Sequence, residues 1–265
     1  MRYFIYFSYC GTNYHGWQRQ PNGVSVQEVM EEAMSLIMGE PISLTAAGRT
    51  DAGVHAEMMT AHFDAQGPKS KEQGARSEEE LRQLASRLNN YLHKDIAIDR
   101  IVPVTEEAHA RFDAVQRTYE YRCVFTKNPF LQGLATRIPK NLDFELMNKA
   151  AQVLLETQDF ASFCKLHTDV KTTLCKVTRA EWKVTEDRAV FTITADRFLR
   201  NMVRAVVGTL LEVGRQRMSV EQFRAVIEKQ HRTAAGQSAP AEGLYLTDIR
   251  YPENIFKGTS NNSTF

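Results

Sequence analysis

The chain has 265 residues, 43% of them hydrophobic, which is enough to bury a core in one large domain or two smaller lobes. The formal net charge of +1 is too close to zero to identify a nucleic-acid-binding protein by itself. No stretch approaches the roughly 20 consecutive apolar residues that span a bilayer, and no signal-peptide pattern opens the chain. Because the four cysteines also lack a paired framework spacing, we expect a globular cytoplasmic protein with reduced thiols and no membrane partner.

The first part of the chain alternates predicted strands and helices. Residues 3–9 are dense in aromatic side chains and end at a Cys-Gly pair, which predicts a buried strand that closes in a turn. The segment VSVQEVMEEAMSLIMGE predicts an amphipathic helix with Ser25 as its cap and Gly39 as its stop. The segments ISLTAAG and EMMTAHFDA predict two further strands. The window between them, AAGRTDAGVHA, is therefore expected to be an exposed connection at the end of a sheet.

One more helix completes the first part, and the second part then echoes its order of strands and helices. A polar stretch at residues 66–80 predicts a solvated loop before a helix in ELRQLASRLNNYL. Beyond it, RTYEYRCVF predicts a strand, DFELMNKAAQVLLET a helix, and VTRAEWKVTEDRAVFTITA a hairpin. No residue-level repeat is visible. We expect an α+β protein of two α/β lobes, residues 1–105 and 106–265, with a cleft between them.

The segment DRFLRNMVRAVVGTLLEVG is predicted to be one helix with an apolar stripe and a stop at Gly214. Arg197, Asn201 and Arg204 recur at i, i+4 and i+7, so they would share one helix face that could grip an anion. A second helix, SVEQFRAVIEKQ, then leads through a loop of small residues into the strand LYLTDIRY.

The window AAGRTDAGVHA, residues 46–56, concentrates side chains capable of chemistry. Its pattern is compatible with a glycine-containing turn in which Asp51 caps the backbone, or with a site in which Asp51 acts as a lone nucleophile. A phosphate-binding loop is disfavoured because no Gly-Lys-Ser/Thr follows the glycines. A pepsin-like protease is disfavoured because no partner for a carboxylate pair is visible. His55 is interpreted as a hydrogen-bonding turn residue.

A possible metal site lies in FCKLHTDVKTTLC. Cys164, His167 and Cys175 could imitate a zinc site, with Asp169 or a distant group as the fourth ligand. The spacing is not a standard paired one, so we favour a loop with incidental thiols and imidazole.

The segment RFDAVQRTYEYRCVF interleaves arginines with aromatic residues, and GWQRQP adds Trp17 in a turn-rich setting. This pattern is typical of a strand with solvated arginines on one face. It also suits a nucleic-acid surface, where guanidinium groups meet phosphates and aromatic faces meet bases. The pattern leaves both interpretations open.

Taken together, several segments resemble the TruA family of tRNA pseudouridine synthases, in the same order and over nearly the whole chain. They are YCGTNYHGWQRQPNGVSVQEVME, AAGRTDAGVHA, HARFDAVQRTYEYR, FLRNMVRAVVGTLLEVG and APAEGLYL. The resemblance implies a homodimeric isomerase that converts uridine to pseudouridine at positions 38, 39 and 40 of the tRNA anticodon arm. It also implies two α/β lobes around a central antiparallel sheet. The reaction that the resemblance implies would require no cofactor and no metal.

The resemblance further implies roles for single residues. Asp51 corresponds to the catalytic nucleophile, and Arg49 would assist the flipped nucleotide. Tyr119 matches the active-site tyrosine, with Tyr121 as the alternative.

Arg204 is expected to pair with the catalytic carboxylate, and Leu244 is expected to pack near the target base. Arg111 and Trp17 are further candidates for contact with the substrate.

Three other functions remain open at this stage. The chain could be an RNA-binding or RNA-chaperone module in which Asp51 is structural. It could apply the same chemistry to another uridine. It could also be a metal-dependent nucleotide hydrolase that uses Cys164, His167 and Cys175 as ligands. Whether Asp51 would attack C1′ or act through a glycal is likewise not decided by the residues.

Overall fold

The computed structural model describes residues 1–66, 76–165 and 171–257. The strands in these ranges are β1 (Arg2–Tyr9), β2 (Thr45–Ala46), β3 (His55–Asp64), β4 (Ile96–Pro103), β5 (Gln116–Val124), β6 (Thr136–Arg137), β7 (Val177–Val184), β8 (Arg188–Ala195) and β9 (Leu244–Arg250). The α-helices are α1 (Val26–Met38), α2 (Glu78–Tyr91), α3 (Phe144–Glu156), α4 (Met202–Gly214) and α5 (Val220–Glu228). The α+β class predicted from the sequence is confirmed. Within the same ranges, none of the helices has the length and apolar character needed to cross a membrane.

The chain divides into two compact units, and the division differs from the predicted lobes. The first unit contains Met1–Val115 and the C-terminal segment from Ile249, and the second contains Gln116–Asp248. Residues 106–115 join the first unit because the returning C-terminal segment packs on them: the Tyr251 hydroxyl donates to the Ala110 carbonyl oxygen at 2.6 Å. The sequence pattern could not show this return, since it depends on contacts between segments far apart in the chain.

In the first unit, strands β4, β1 and β3 lie side by side in that order and are antiparallel. The short strand β2 pairs with β3 on the other side from β1, through Thr45–His62 and Ala46–Ala61. Helix α1 begins where predicted, because the Ser25 side chain accepts a hydrogen bond from the Glu28 amide. This arrangement leaves the segment between β2 and β3, which carries Arg49 and Asp51, as a connection between paired strands, as the sequence predicted.

In the second unit, the strand order is β9, β5, β8, β7, with β6 parallel to β5. Strand β5 alternates between buried and half-buried residues, so Tyr119 and Tyr121 lie on the same buried face. Tyr119 is paired with Ile193 of β8. Helix α3 packs against β7, and α4 packs against α3 and α5.

The helix predicted over residues 196–214 starts later than expected. Asn201 has a left-handed backbone with φ of 66°, which an α-helix does not accommodate, and α4 begins only at Met202. Arg197 and Asn201 therefore lie before the helix, and of the three predicted face residues only Arg204 is on it. The prediction that these three residues share one anion-binding helix face is therefore wrong.

Each unit protects its outer strand with an asparagine from the helix that covers it. In the first unit, Asn89 of α2 donates to the Ile98 carbonyl oxygen at 2.8 Å and accepts from the Ile98 amide at 2.6 Å. In the second unit, Asn148 of α3 donates to the Trp182 carbonyl oxygen at 3.1 Å and accepts from the Trp182 amide at 2.7 Å. The side-chain amide thus substitutes for one residue of a neighbouring strand and covers an otherwise exposed sheet edge.

We expect Asn148→Ala to lower the free energy of unfolding by about 1–3 kcal/mol, because it removes the partner of two backbone groups on β7. Urea denaturation measures this as a lower midpoint. The matched control is Lys149→Ala, since Lys149 is the exposed neighbour on the same helix. If both variants unfold at the same midpoint, the asparagine does not stabilise the strand edge.

Candidate active site

The loop at residues 47–54 carries the predicted nucleophile in a fixed backbone. It leaves β2 with the Ala47 amide bonded to the Thr60 carbonyl oxygen at 2.8 Å and enters β3 through a turn in which the Val54 amide donates to the Asp51 carbonyl oxygen at 3.2 Å. Along this loop Arg49 is exposed, Thr50 is buried and Asp51 is half-buried. The Arg49 side chain is therefore in solvent, the Thr50 side chain is in the interior, and Asp51 is partly accessible to solvent.

The segment at residues 9–17 holds this loop from the inside. The Trp17 amide donates to the Thr50 carbonyl oxygen at 3.2 Å, and the Gly53 amide donates to the Tyr14 carbonyl oxygen at 3.3 Å. The hydroxyl groups of Tyr9 and Thr50 share a hydrogen bond of 2.8 Å. These contacts fix the backbone on both sides of Asp51.

Two glycines permit the close approach of the two segments. A Cβ atom on Gly11 would overlap the Val54 carbonyl oxygen, and one on Gly16 would overlap the Thr50 carbonyl oxygen. Gly16 also has a left-handed φ of 87°, which side chains disfavour. His55 is buried, and its Nδ1 accepts a hydrogen bond from the Gly11 amide at 3.1 Å, as expected, but His55 is the first residue of β3 and not a turn residue.

Sequence reasoning did not identify Tyr9 or Thr50, because their hydrogen bond joins residues 41 positions apart. It interpreted Trp17 as a substrate contact. In the structure the indole is 3% exposed and lies 5.4 Å from the Phe7 ring, so it contributes to the packing beneath the loop. A direct contact between Trp17 and substrate stays a prediction.

Arg111 lies in a hydrogen-bonded turn of the first unit. Its amide and that of Phe112 both donate to Nδ1 of His109, at 3.1 and 3.3 Å. The neighbouring His62 is neutral because burial lowers its pKa to about 4, and its Nδ1 accepts a hydrogen bond from the Ala110 amide. The turn exposes 75% of Phe112, with the Arg111 guanidinium 5.8 Å from the ring centre. This pair offers a cation and an aromatic face to solvent.

In the second unit, the two candidate tyrosines have different surroundings. Tyr119 packs its ring edge to face against Phe198, with 5.0 Å between ring centres. Tyr121 is fully buried, donates its hydroxyl proton to the Pro240 carbonyl oxygen at 2.9 Å and lies 2.8 Å from the Thr136 hydroxyl. Burial raises the pKa of Tyr121, so its phenol stays protonated. The hydroxyl of Tyr121 is therefore committed to the protein interior.

One loop contacts Arg204 and leads into Leu244. Arg204 lies in the first turn of α4, where its Nε donates to the Ala239 carbonyl oxygen at 2.8 Å. Leu244 is buried and opens β9. The loop that contains Ala239 leads directly into Leu244, so the backbone around both residues is set by the same segment.

The proposed zinc ligands are only partly described. Cys164 and Cys175 are free and buried, and burial raises the pKa of Cys175 to about 12. His167 and Asp169 lie outside the described residues. Across residues 1–66, 76–165 and 171–257, no group of three or more His, Cys, Asp or Glu side chains could hold a metal ion.

Comparisons with known proteins bear on the whole chain. The sequence profile of a family described as tRNA pseudouridine synthase matches residues 5–113 and 150–252, which include Asp51, Arg204 and Leu244 but not Tyr119. The tRNA pseudouridine synthase A of Parabacteroides distasonis is 53% identical, with 96% of this chain and 98% of that protein covered.

Proteins of the same name give similar values. The one from Bacteroides fragilis is 50% identical, with 97% and 98% covered, and the one from Bacteroides thetaiotaomicron is 51% identical, with 99% and 95% covered. A profile match over more than half of the chain, together with relatives this similar, establishes that the chain belongs to the tRNA pseudouridine synthase family.

Proposed function

We propose that this chain isomerises uridine to pseudouridine at positions 38, 39 and 40 of the anticodon stem-loop of tRNA. The observation that carries the proposal is the loop at residues 47–54, which offers a half-buried carboxylate and an exposed guanidinium on a firmly held backbone. Membership of the tRNA pseudouridine synthase family supports the reaction and its substrate.

The reaction breaks the bond between ribose C1′ and uracil N1 and forms a bond between C1′ and C5. The base is retained, and no water is added. A hydrolytic glycosidase uses two carboxylates, one to protonate the leaving group and one to attack or to activate water. Asp51 is the single carboxylate of the loop, which suits an isomerase. In its ionised form Asp51 attacks C1′ or removes a ribose proton to give a glycal.

We assign to Arg204 the role of stabilising the ionised form of Asp51, because a guanidinium close to a carboxylate favours that form. The hydrogen bond from its Nε to Ala239 supports this role, since it fixes the plane of the guanidinium before substrate arrives. Leu244, at the end of the same loop, provides the apolar contact for the target base.

Arg49 is assigned to the extrusion of the target nucleotide. A uridine in a stacked stem or loop must be flipped out before its ribose can react, which costs a few kcal/mol. The exposed side chain of Arg49 follows directly on the fixed backbone of the loop, and this supports its insertion into the space that the base vacates. Arg111, beside the exposed Phe112, and Trp17 are further substrate contacts in this proposal.

Tyr119 is assigned to the last step, removal of the proton from C5, with its ring stacked on the uracil. The alternative, Tyr121, is less suitable because its hydroxyl already donates to Pro240 and is fully buried.

Asp51→Asn is expected to reduce pseudouridine formation to background while tRNA binding persists, because the amide can act neither as nucleophile nor as base. Unmodified tRNA is incubated with protein in the presence of chelator, and pseudouridine is mapped chemically. Asp187→Asn, in the exposed turn between β7 and β8, is the control and should keep wild-type activity.

The other outcomes of this experiment would contradict the proposal in different ways. Pseudouridine formation by Asp51→Asn would contradict the role of Asp51. Wild-type protein that binds tRNA without forming pseudouridine would be an RNA-binding module. Activity that chelator abolishes and zinc restores would indicate a metal-dependent enzyme, and modification elsewhere than 38–40 would indicate another target.

Tyr119→Phe keeps the aromatic face but lacks the hydroxyl, so we expect it to bind tRNA and to be slow in losing the C5 proton. Release of tritium from tRNA labelled at uridine C5 measures this step. Tyr91→Phe, at the exposed end of α2, is the matched control. Tritium release by Tyr119→Phe at the wild-type rate would remove Tyr119 from the step.

We also propose a homodimer in the cytoplasm, where tRNA is modified. A chain of 265 residues has limited reach along an extended tRNA, and surfaces from two subunits would together span more of it. Light scattering at micromolar concentration should therefore give the mass of two chains. A fully active monomer under these conditions would refute the dimer.

A further inference from the structure

The loop at residues 235–243 is fastened to the part of α4 that carries Arg204. The Ala239 amide donates to the Arg204 carbonyl oxygen at 2.9 Å, and the Arg204 Nε donates back to the Ala239 carbonyl oxygen at 2.8 Å. Because this pair engages both the backbone and the side chain of Arg204, the direction of the guanidinium depends on the position of the loop.

The start of the same loop lies on Gly208 and Thr209, about one turn further along α4. A Cβ atom on Gly208 would overlap the Gln237 carbonyl oxygen, so this residue allows the backbone of the loop to touch the helix. The hydroxyl of Thr209 is fully buried, donates to the Ala205 carbonyl oxygen at 2.8 Å and accepts from the Gly236 amide at 2.9 Å. Thr209 thus bonds the helix and the loop with one oxygen atom.

Arg232 and Asn201 hold the middle of the loop. Arg232 donates to the Gly236 carbonyl oxygen at 3.1 Å and to the Ser238 hydroxyl at 2.8 Å. Asn201 donates to the same Ser238 hydroxyl at 2.7 Å. The loop is therefore bonded at Gly236 and Ser238 before it reaches Pro240, whose carbonyl oxygen accepts from the Tyr121 hydroxyl, and then Leu244.

We propose that Thr209 is a positioning residue for the isomerisation, which holds the 235–243 loop on α4 and thereby sets the guanidinium of Arg204 and the start of β9 at Leu244. This inference rests on the roles given to Arg204 and Leu244 in the proposed function. If Thr209 served only to fill space, valine would replace it, since valine has nearly the same shape without the hydroxyl. With valine, the Gly236 amide loses its acceptor and the start of the loop is released from the helix.

Thr209→Val is compared with Thr209→Ser, which restores the hydroxyl. We expect the valine variant to lose about tenfold in kcat with KM for tRNA changed by less than about twofold, because the effect is on the orientation of a group used in the transition state. The serine variant should recover most of that loss. Thr157→Val is the matched control, since the hydroxyl of Thr157, the residue directly after α3, makes the same bond to a carbonyl oxygen four residues back, at 2.8 Å.

A double-mutant cycle with Arg204→Lys tests whether Thr209 acts through Arg204. Lysine lacks the Nε–H that bonds Ala239, so in this background Thr209→Val should add little further loss of kcat. The inference is overturned if the loss of kcat in the double variant equals the product of the losses in the two single variants, or if Thr209→Val has the kcat of the wild type. If thermal unfolding shows that Thr209→Val does not fold, Arg232→Lys in the same cycle tests the loop through its bonds to Gly236 and Ser238, with the same expected and refuting results.

The two proposals fail in different ways. Wild-type protein that forms no pseudouridine overturns the proposed function and this inference with it. Active wild-type protein with an unaffected Thr209→Val variant overturns the inference alone.

Discussion

The close approach of residues 11–16 to the loop at residues 47–54 is the constraint on which the candidate site depends. Backbone atoms of the two segments meet where Gly11 and Gly16 have no side chain, and the Gly53 amide then donates to the Tyr14 carbonyl oxygen, while the adjoining Trp17 amide donates to the Thr50 carbonyl oxygen. A loop between two strands is ordinarily mobile because its backbone is solvated. Here the backbone beside Asp51 is bonded within the protein, so main-chain hydrogen bonds fix the position from which the Asp51 side chain extends.

The second unit uses the same physical device at a different place. A glycine of α4 lets the 235–243 loop touch the helix, and a buried threonine hydroxyl bonds the two, as Thr50 and Tyr9 do in the first unit. In the first unit the held loop carries Asp51, and in the second unit the held loop accepts a hydrogen bond from Arg204 and leads into Leu244. In this reaction the base leaves the sugar and is recaptured by the same sugar. Catalytic groups that are already in position favour this recapture, because movement of these groups would give water time to reach the intermediate.

The two units also share the way in which they end their sheets. An asparagine of a covering helix bonds both backbone groups of one residue on the outer strand, Ile98 in the first unit and Trp182 in the second. The sequence showed only a recurrence of strand and helix order without a residue-level repeat. The structure adds that the recurrence extends to the side-chain contact that protects the sheet edge.

The sequence by itself determined the elements whose signals are local. Helix α1 with its Ser25 cap and the strands on either side of the reactive window follow from residue types within short windows, whereas Asp51 became the candidate nucleophile through the family resemblance. The tertiary structure alone decided the start of α4, where Asn201 turns left-handed and bonds Ser238, and the return of the C-terminal segment to the first unit. It also decided the hydrogen-bond partners of Thr50 and Thr209 and the packing of Trp17. These contacts join residues that are far apart in the sequence, and such residues come within hydrogen-bonding or packing distance only when the chain has folded.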